Sequence, residues 1–247
     1  MGSITFGRSK IKYEIKRGKR TKTVALLIQP NMSIIILTPR LLSEEKIRQI
    51  VAKRAAWILR QTEKIKRLRA ACSSKEFVSG ESFPYLGRQY RLKVTHTNSL
   101  TNSHCKLTEG RFHIKIHNDL KNREASEFVI QKLVEWYMAK AEEKIKERIT
   151  NYTALVGKQP QKVIVKDQGK RWGSCSHANT LRFNWKIVMA PISVLDYVIV
   201  HELCHMVINN HSDKFWDRLR SIIPDYPKKR KWLKENSILL TEISGPI

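Results

Sequence analysis

One stretch of this chain leaves little choice about where it can lie. From Val198 to Ile208 the residues are apolar except for His201, Glu202 and His205. The apolar side chains call for the interior. Two imidazoles and a carboxylate placed there are costly unless something pairs them. Read as a helix, the stretch sets the two histidines four residues apart on one face, where both reach a single point. A metal ion at that point satisfies them. Ser193, with Asp196 three residues on, is predicted to cap and open this helix.

The segment His201-Glu202-Leu203-Cys204-His205 therefore reads as a zinc site, one ion per chain. Glu202, beside the first ligand, is placed to take a proton from the attacking water. A zinc hydrolase needs a third protein ligand and an open fourth position. His211 is favoured over Asp213, Asp217, Glu235 and Glu242. In a continuous helix it would lie about 15 Å along the axis from His201. It reaches the ion only if the helix stops and the chain turns back. Asn209-Asn210 is predicted to supply that stop, because Asn tolerates the left-handed backbone.

Around this centre several residues have two readings. Asp196 is either a carboxylate orienting a ligand imidazole or a helix-capping residue. Arg171, His177, Asn184 and Tyr226 are candidates for stabilising an oxyanion. Cys204 points away from the ligand face, into the core, while Cys175 either packs beneath the site or approaches the metal as a thiolate. Trp172, Trp185, Phe215 and Trp216 read as core and cleft walls. His96, His104, His113 and His117 share no ligand spacing and read as surface residues.

The rest of the chain reads as α+β. Ile11, Tyr13 and Ile15 alternate with Lys12, Glu14 and Lys16, the period of a half-buried strand. Thr23 to Gln29 and Ser33 to Thr38 flank a turn at Pro30-Asn31. Ser43 caps a helix expected to run to Arg69, with Ile47, Val51, Ile58 and Ile65 as its apolar stripe. The small polar run at 71–75 marks a joint. Strands are expected at 85–94 and 111–116, with Gly80, Gly87 and Gly110 as turns. A helix over about 124–153 is expected, with Phe128, Val129, Leu133, Trp136 and Tyr137 as its buried face, and further strands fall at 163–165 and 181–185 around a loop at 170–179. The division is a basic β-hairpin plus helix region (1–75), a small β region (76–120) and a catalytic region (121–247).

Charge separates the N-terminal region from the remainder. Forty-seven Lys and Arg against 22 Asp and Glu give +25. Eighteen of those cations and only four acids fall in residues 1–70. So much like charge either forms a solvated surface or meets a polyanion, nucleic acid above all. Arg60, Lys64, Lys66 and Arg67 are the candidates for tracking a phosphate backbone, and Lys228 to Lys231 form a second basic cluster. No apolar run spans a bilayer, no secretory leader is legible, and the four cysteines have no framework spacing. The expectation is a cytoplasmic protein without membrane contact.

The spacing of the three histidines also occurs in metzincins, but those place Gly where this chain has Ile208 and need a methionine downstream, whereas Met206 is the last here. A closer resemblance runs through most of the chain. Arg171-Trp172-Gly173-Ser174-Cys175-Ser176, Phe183-Asn184-Trp185 and Asp196 to His205 resemble the YgjP-like metallopeptidases. Asn210-His211-Ser212, Phe215-Trp216, Pro224-Asp225-Tyr226 and Trp232-Leu233 continue the match in order, as do Trp57-Ile58-Leu59 and Leu86-Gly87-Arg88. The resemblance implies a zincin-like catalytic region, three histidine zinc ligands, a catalytic Glu202 and a protein or peptide substrate. That family is similar to the SprT and WLM proteases, which act on proteins attached to DNA. The competing reading is a nucleic-acid-binding module with a structural zinc and no catalysis.

Overall fold

The alternation at the N-terminus becomes a strand with Ile11 and Tyr13 turned inward, both almost fully buried. The computed structural model describes residues 2–18, 23–29, 32–71, 75–99, 103–169 and 171–241. They divide into two compact units, 1–74 and 75–247.

In the first unit, β1 (Gly2–Phe6) and β2 (Ser9–Gly18) form a hairpin, followed by β3 (Ala25–Ile28) and β4 (Ile34–Pro39). The sheet order is β1-β2-β4-β3, with β2 and β4 parallel and the other pairs antiparallel. The first strand lies where no element was expected. The turn expected at Pro30-Asn31 falls outside the described residues. Helix α1 (Glu44–Lys53) begins as predicted, with the Ser43 hydroxyl accepting from the Lys46 amide. The single helix expected from Ser43 to Arg69 is instead two. The backbone leaves helical geometry at Arg54 and resumes in α2 (Ala55–Ala71). Ile47, Val51, Ala55 and Ile58 carry one apolar stripe across that break, each fully buried among Ile11, Tyr13, Ile34 and Ile36. Burying a side chain of that size stabilises by about 1.5–3 kcal/mol. The side chain of Ile65 lies outside the described residues.

The second unit opens with a sheet of β5 (Ser82–Tyr85), β6 (Arg88–Thr97), β7 (Lys106–Thr108) and β8 (Arg111–His117), ordered β5-β6-β8-β7. This sheet shares one core with α3 (Asn122–Val156), whose residues Val129, Leu133, Tyr137, Ala141, Ile145 and Ile149 recur every four positions and are buried. Gly157 ends α3 in the left-handed conformation, its amide donating to the Thr153 carbonyl, the common glycine stop. A second sheet follows, of β9 (Lys162–Lys166), β10 (Gly173–Cys175) and β11 (Thr180–Asn184), with β10 at one edge and β11 in the centre. The stretch expected to be loop over 170–179 thus contains a strand. A 3-10 turn at Trp185–Met189 leads into α4 (Ile192–His205), then α5 (Asp213–Ile222) and α6 (Tyr226–Thr241).

The β5–β6 turn fixes where α4 starts. Leu86 and Gly87 donate their amides to the Val188 and Met189 carbonyls. Gly87 has φ +80°, and a Cβ there would stand 2.9 Å from the Pro191 Cα, so only glycine fits. No helix among the described residues is long and apolar enough to cross a membrane.

Candidate metal centre

Helix α4 runs through the core of the second unit, with Leu195, Ile199, Val200, Leu203 and Cys204 fully buried. Its N-cap is Pro191, and Ser193 lies inside the first turn without capping it, contrary to the sequence reading. Asp196 neither caps nor touches an imidazole. Its two oxygens accept from Arg148 Nε and Nη2 at 2.6 and 2.7 Å, a fork-to-fork pair that bolts α3 to α4. The Arg148 guanidinium, hydrogen-bonded to that carboxylate, is held charged.

The C-terminal end of α4 also differs from expectation. The helix stops after His205 with Met206 as its cap, before Asn209-Asn210, and neither Asn has a left-handed backbone. Side chains, not an Asn conformation, satisfy the chain there. Lys158 Nζ donates to the Met206 carbonyl at 2.7 Å. His205 Nδ1 lies 3.1 Å from the Ile208 carbonyl. Trp216 Nε1 donates to the His211 carbonyl at 3.1 Å. The chain turns back as the spacing required.

The result is a convergence of three imidazoles. The Nε2 atoms of His201, His205 and His211 are 3.2, 3.1 and 3.0 Å apart. Three ring nitrogens facing one another cannot satisfy each other as donors and acceptors, and a cation among them removes the conflict. Nitrogens about 2.0–2.1 Å from a tetrahedral ion sit about 3.3–3.4 Å apart, close to what is found. A proton on His205 Nδ1, directed at the Ile208 carbonyl, leaves its Nε2 lone pair facing the cluster. Burial first, and then the neighbouring histidines, push His201 down to about 3, so it stays neutral and able to bind; burial also lowers His205. These residues fit a metal ion. Among the described residues Asp213, Asp217 and Glu235 stand outside the group of three, and Glu242 falls outside the described residues.

A cleft of about 370 Å³ opens over this centre, lined by Arg171, Gly173, Ser174, Cys175, Ser176, His177, Glu202, Asn209 and the three histidines. Burial raises the Glu202 carboxyl to about 8, opposed by the nearby Arg171 charge. Gly173 of β10 touches it: a Cβ there would lie 2.6 Å from Glu202 Cγ. The need for glycine at this point was not legible from spacing. Of the four oxyanion candidates, Arg171 and His177 line the cleft; Asn184 and Tyr226 do not. Asn184 is fully buried and donates to the Arg171 carbonyl. Tyr226 stacks on Trp216, centroids 5.3 Å apart and 15° from parallel. Cys175 lines the cleft with its thiol pushed up by burial, and Cys204 is fully buried with its thiol at about 11 for the same reason. Trp185 and Phe215 are core residues, Trp172 and Trp216 partly buried against the core. His96 and His104 are exposed, but His113 has its Nε2 buried and His117 is half-buried beside Asp119.

Trp216 braces the loop ligand further. Its ring stacks on His211 at 5.3 Å and 23°, and Arg230 of α6 lies 5.0 Å over it. Three histidines able to hold a metal ion, beside the buried Glu202 carboxylate of α4, are the donor arrangement of a metallohydrolase-type centre. The sequence profile for the YgjP-like family, described as a metallopeptidase domain, matches residues 22–236, and the chain belongs to that family. No curated protein matches at significant similarity. Among solved structures, the metallopeptidase zymogen of Pyrococcus abyssi abylysin is similar to 38% of this chain over 95% of its own, at 15% identity and TM-score 0.35. That likeness is too slight to extend to function.

Proposed function

We propose that this metallopeptidase is a zinc enzyme in which His201, His205 and His211 hold the ion and Glu202 is the general base. The observation that carries the reading is the mutual approach of three Nε2 atoms beside the Glu202 carboxylate in one cleft. Three imidazoles with an open side are the donor set of catalytic rather than structural zinc, which takes four protein ligands. Bound there, zinc supplies a Lewis acid that acidifies water and polarises a peptide carbonyl. Glu202 takes the proton of the attacking water and passes it to the leaving nitrogen. Its raised pKa in the metal-free fold comes from burial, and a nearby dication favours the ionised form that a base requires. The test is Glu202→Gln: zinc content by elemental analysis stays at one per chain, while hydrolysis of denatured casein drops at least a hundredfold. Hydrolysis at the parent rate refutes the assignment.

The charge of the first unit supports a second element of the proposal, a nucleic-acid partner that brings the protease to associated proteins. Arg60 and Lys66 on α2 are exposed, as are Lys10, Lys12 and Lys16 near the N-terminus; the side chains of Lys64 and Arg67 lie outside the described residues. Phosphate contacts make affinity fall steeply with salt and show little base preference. Duplex DNA should bind at 50 mM salt and stimulate cleavage of a DNA-bound protein. Substituting Arg60, Lys64, Lys66 and Arg67 by Ser should remove the stimulation; stimulation that persists in that variant refutes this surface. The compartment proposed is the cytoplasm.

A further inference from the structure

A largely buried polar cluster stands behind Arg171, the one guanidinium among the described residues that line the cleft. Lys186 is 6% exposed, and its Nζ donates to Asp167 Oδ2 at 2.8 Å. Asp167 Oδ1 accepts the Gly169 amide at 2.7 Å. Asn184 joins the cluster to the cleft loop. Its amide donates to the Trp172 carbonyl at 2.9 Å, its Nδ2 to the Arg171 carbonyl at 3.4 Å, and its Oδ1 accepts from the Lys186 amide at 3.1 Å. The Arg171 amide donates back to the Gln168 carbonyl. Both residues that lead into β10 are therefore held through their backbone, with the Arg171 side chain free to project into the cleft beside Glu202.

An ion pair with its lysine buried and its carboxylate half-buried is a weak source of stability, since desolvation offsets the attraction and apolar residues of similar volume often serve as well. What such a pair provides is one conformation for the segment it holds, and the segment held here is the one that carries Arg171. His177, the other cleft residue able to face an oxyanion, is exposed like Arg171 and sits in a turn closed by the Asn179 amide on the Ser176 carbonyl; what sets Arg171 apart is a guanidinium that is always a cation and whose charge is felt at Glu202.

We propose that Arg171 is a catalytic residue that stabilises negative charge on the scissile carbonyl oxygen, and that Asp167, Lys186 and Asn184 are its positioning residues. The proposal rests on the peptidase reading above. As water oxygen bonds to the carbonyl carbon, the C=O electron pair moves onto oxygen, and Glu202 receives the water's proton. When the C–N bond breaks, the pair returns and the proton goes to nitrogen. Arg171 transfers no proton and only donates hydrogen bonds to that oxygen, where a preorganised cation is most effective.

The zinc-loaded protein and its variants are compared on denatured casein and on quenched fluorescent peptides. Arg171→Ala should lower kcat by about a hundredfold to a thousandfold, with KM and zinc content within twofold of the parent and partial recovery on adding guanidinium. The double variant Asp167→Leu with Lys186→Met should keep its melting temperature yet lose about tenfold in kcat. The same double change made on Arg171→Ala should add no further loss, because the device acts only through that side chain. Parent-level kcat in Arg171→Ala, or a loss that falls on His177→Ala instead, overturns the catalytic role. Equal losses from the double change with and without Arg171 overturn the positioning role. If the parent itself leaves every substrate uncut, the peptidase reading fails rather than this one.

Discussion

The three proposed metal ligands come from two unlike places. Helix α4 presents His201 and His205 from a buried scaffold tied to α3 by the Arg148–Asp196 pair. His211 comes from the segment between α4 and α5 and is exposed, held by Trp216 through one hydrogen bond and one ring stack. A helix places side chains four residues apart on one face by backbone geometry alone. A loop does so only through the contacts it makes. Preorganisation is therefore intrinsic on one side of the site and borrowed on the other.

The strongest test of this contrast removes ligands from each side. His201→Ala and His205→Ala should each abolish measurable zinc binding and lower the melting temperature, His201 the more because its loss also leaves a void in packed surroundings. His211→Ala should retain a weak two-histidine site and a nearly unchanged metal-free melting temperature. Competition with a chelator and thermal scans check this, and equal effects at all three positions would remove the distinction. A smaller effect is expected from the brace. Trp216→Ala should weaken zinc by about 10–100-fold, the range typical of partners that orient a ligand. Trp216→Phe, which keeps a ring and loses the hydrogen bond, should fall between that variant and the parent.

A further effect, seen without metal, concerns pH. Glu202 is raised to about 8 in the fold against about 4.3 in an unfolded chain. The fold then favours the protonated acid, so this group's contribution is full below about 4.3 and is lost as pH rises through 8. Glu202→Gln lacks that loss. With chelator present, the variant's melting temperature should exceed the parent's by a margin that widens from pH 5 to pH 8. A margin independent of pH would mean that the carboxylate is not desolvated. His201 works in the opposite window. Lowered to about 3, it contributes stability that is full above about 6.5 and is lost on acidification toward 3.

Much of this could be read from residue order, for reasons that are local. The helical spacing of His201 and His205, the Ser43 cap, the turns at Gly80, Gly87 and Gly110 and the four-residue stripe of α3 are properties of neighbouring residues. Errors arose where distant groups decided. The stop after His205 is met by Lys158, just past the end of α3, not by Asn209-Asn210. Asp196 was drawn away from the imidazoles by Arg148, 48 residues earlier in the chain. The edge strand β10 exists because β11 pairs with it, and three residues carry too little periodicity to announce that.

By itself, then, the order of residues determined the spacing of the proposed ligand pair, the adjacent carboxylate, the need for a chain reversal before His211 and the basic character of residues 1–70. Only the tertiary structure decided which side chains end α4, that Gly173 must lack a Cβ because Glu202 occupies the space, and that Arg171 rather than Asn184 or Tyr226 shares the cleft. Helix periodicity and charge are written residue by residue, whereas a cleft is made where segments far apart in the chain meet, and their meeting is set by packing.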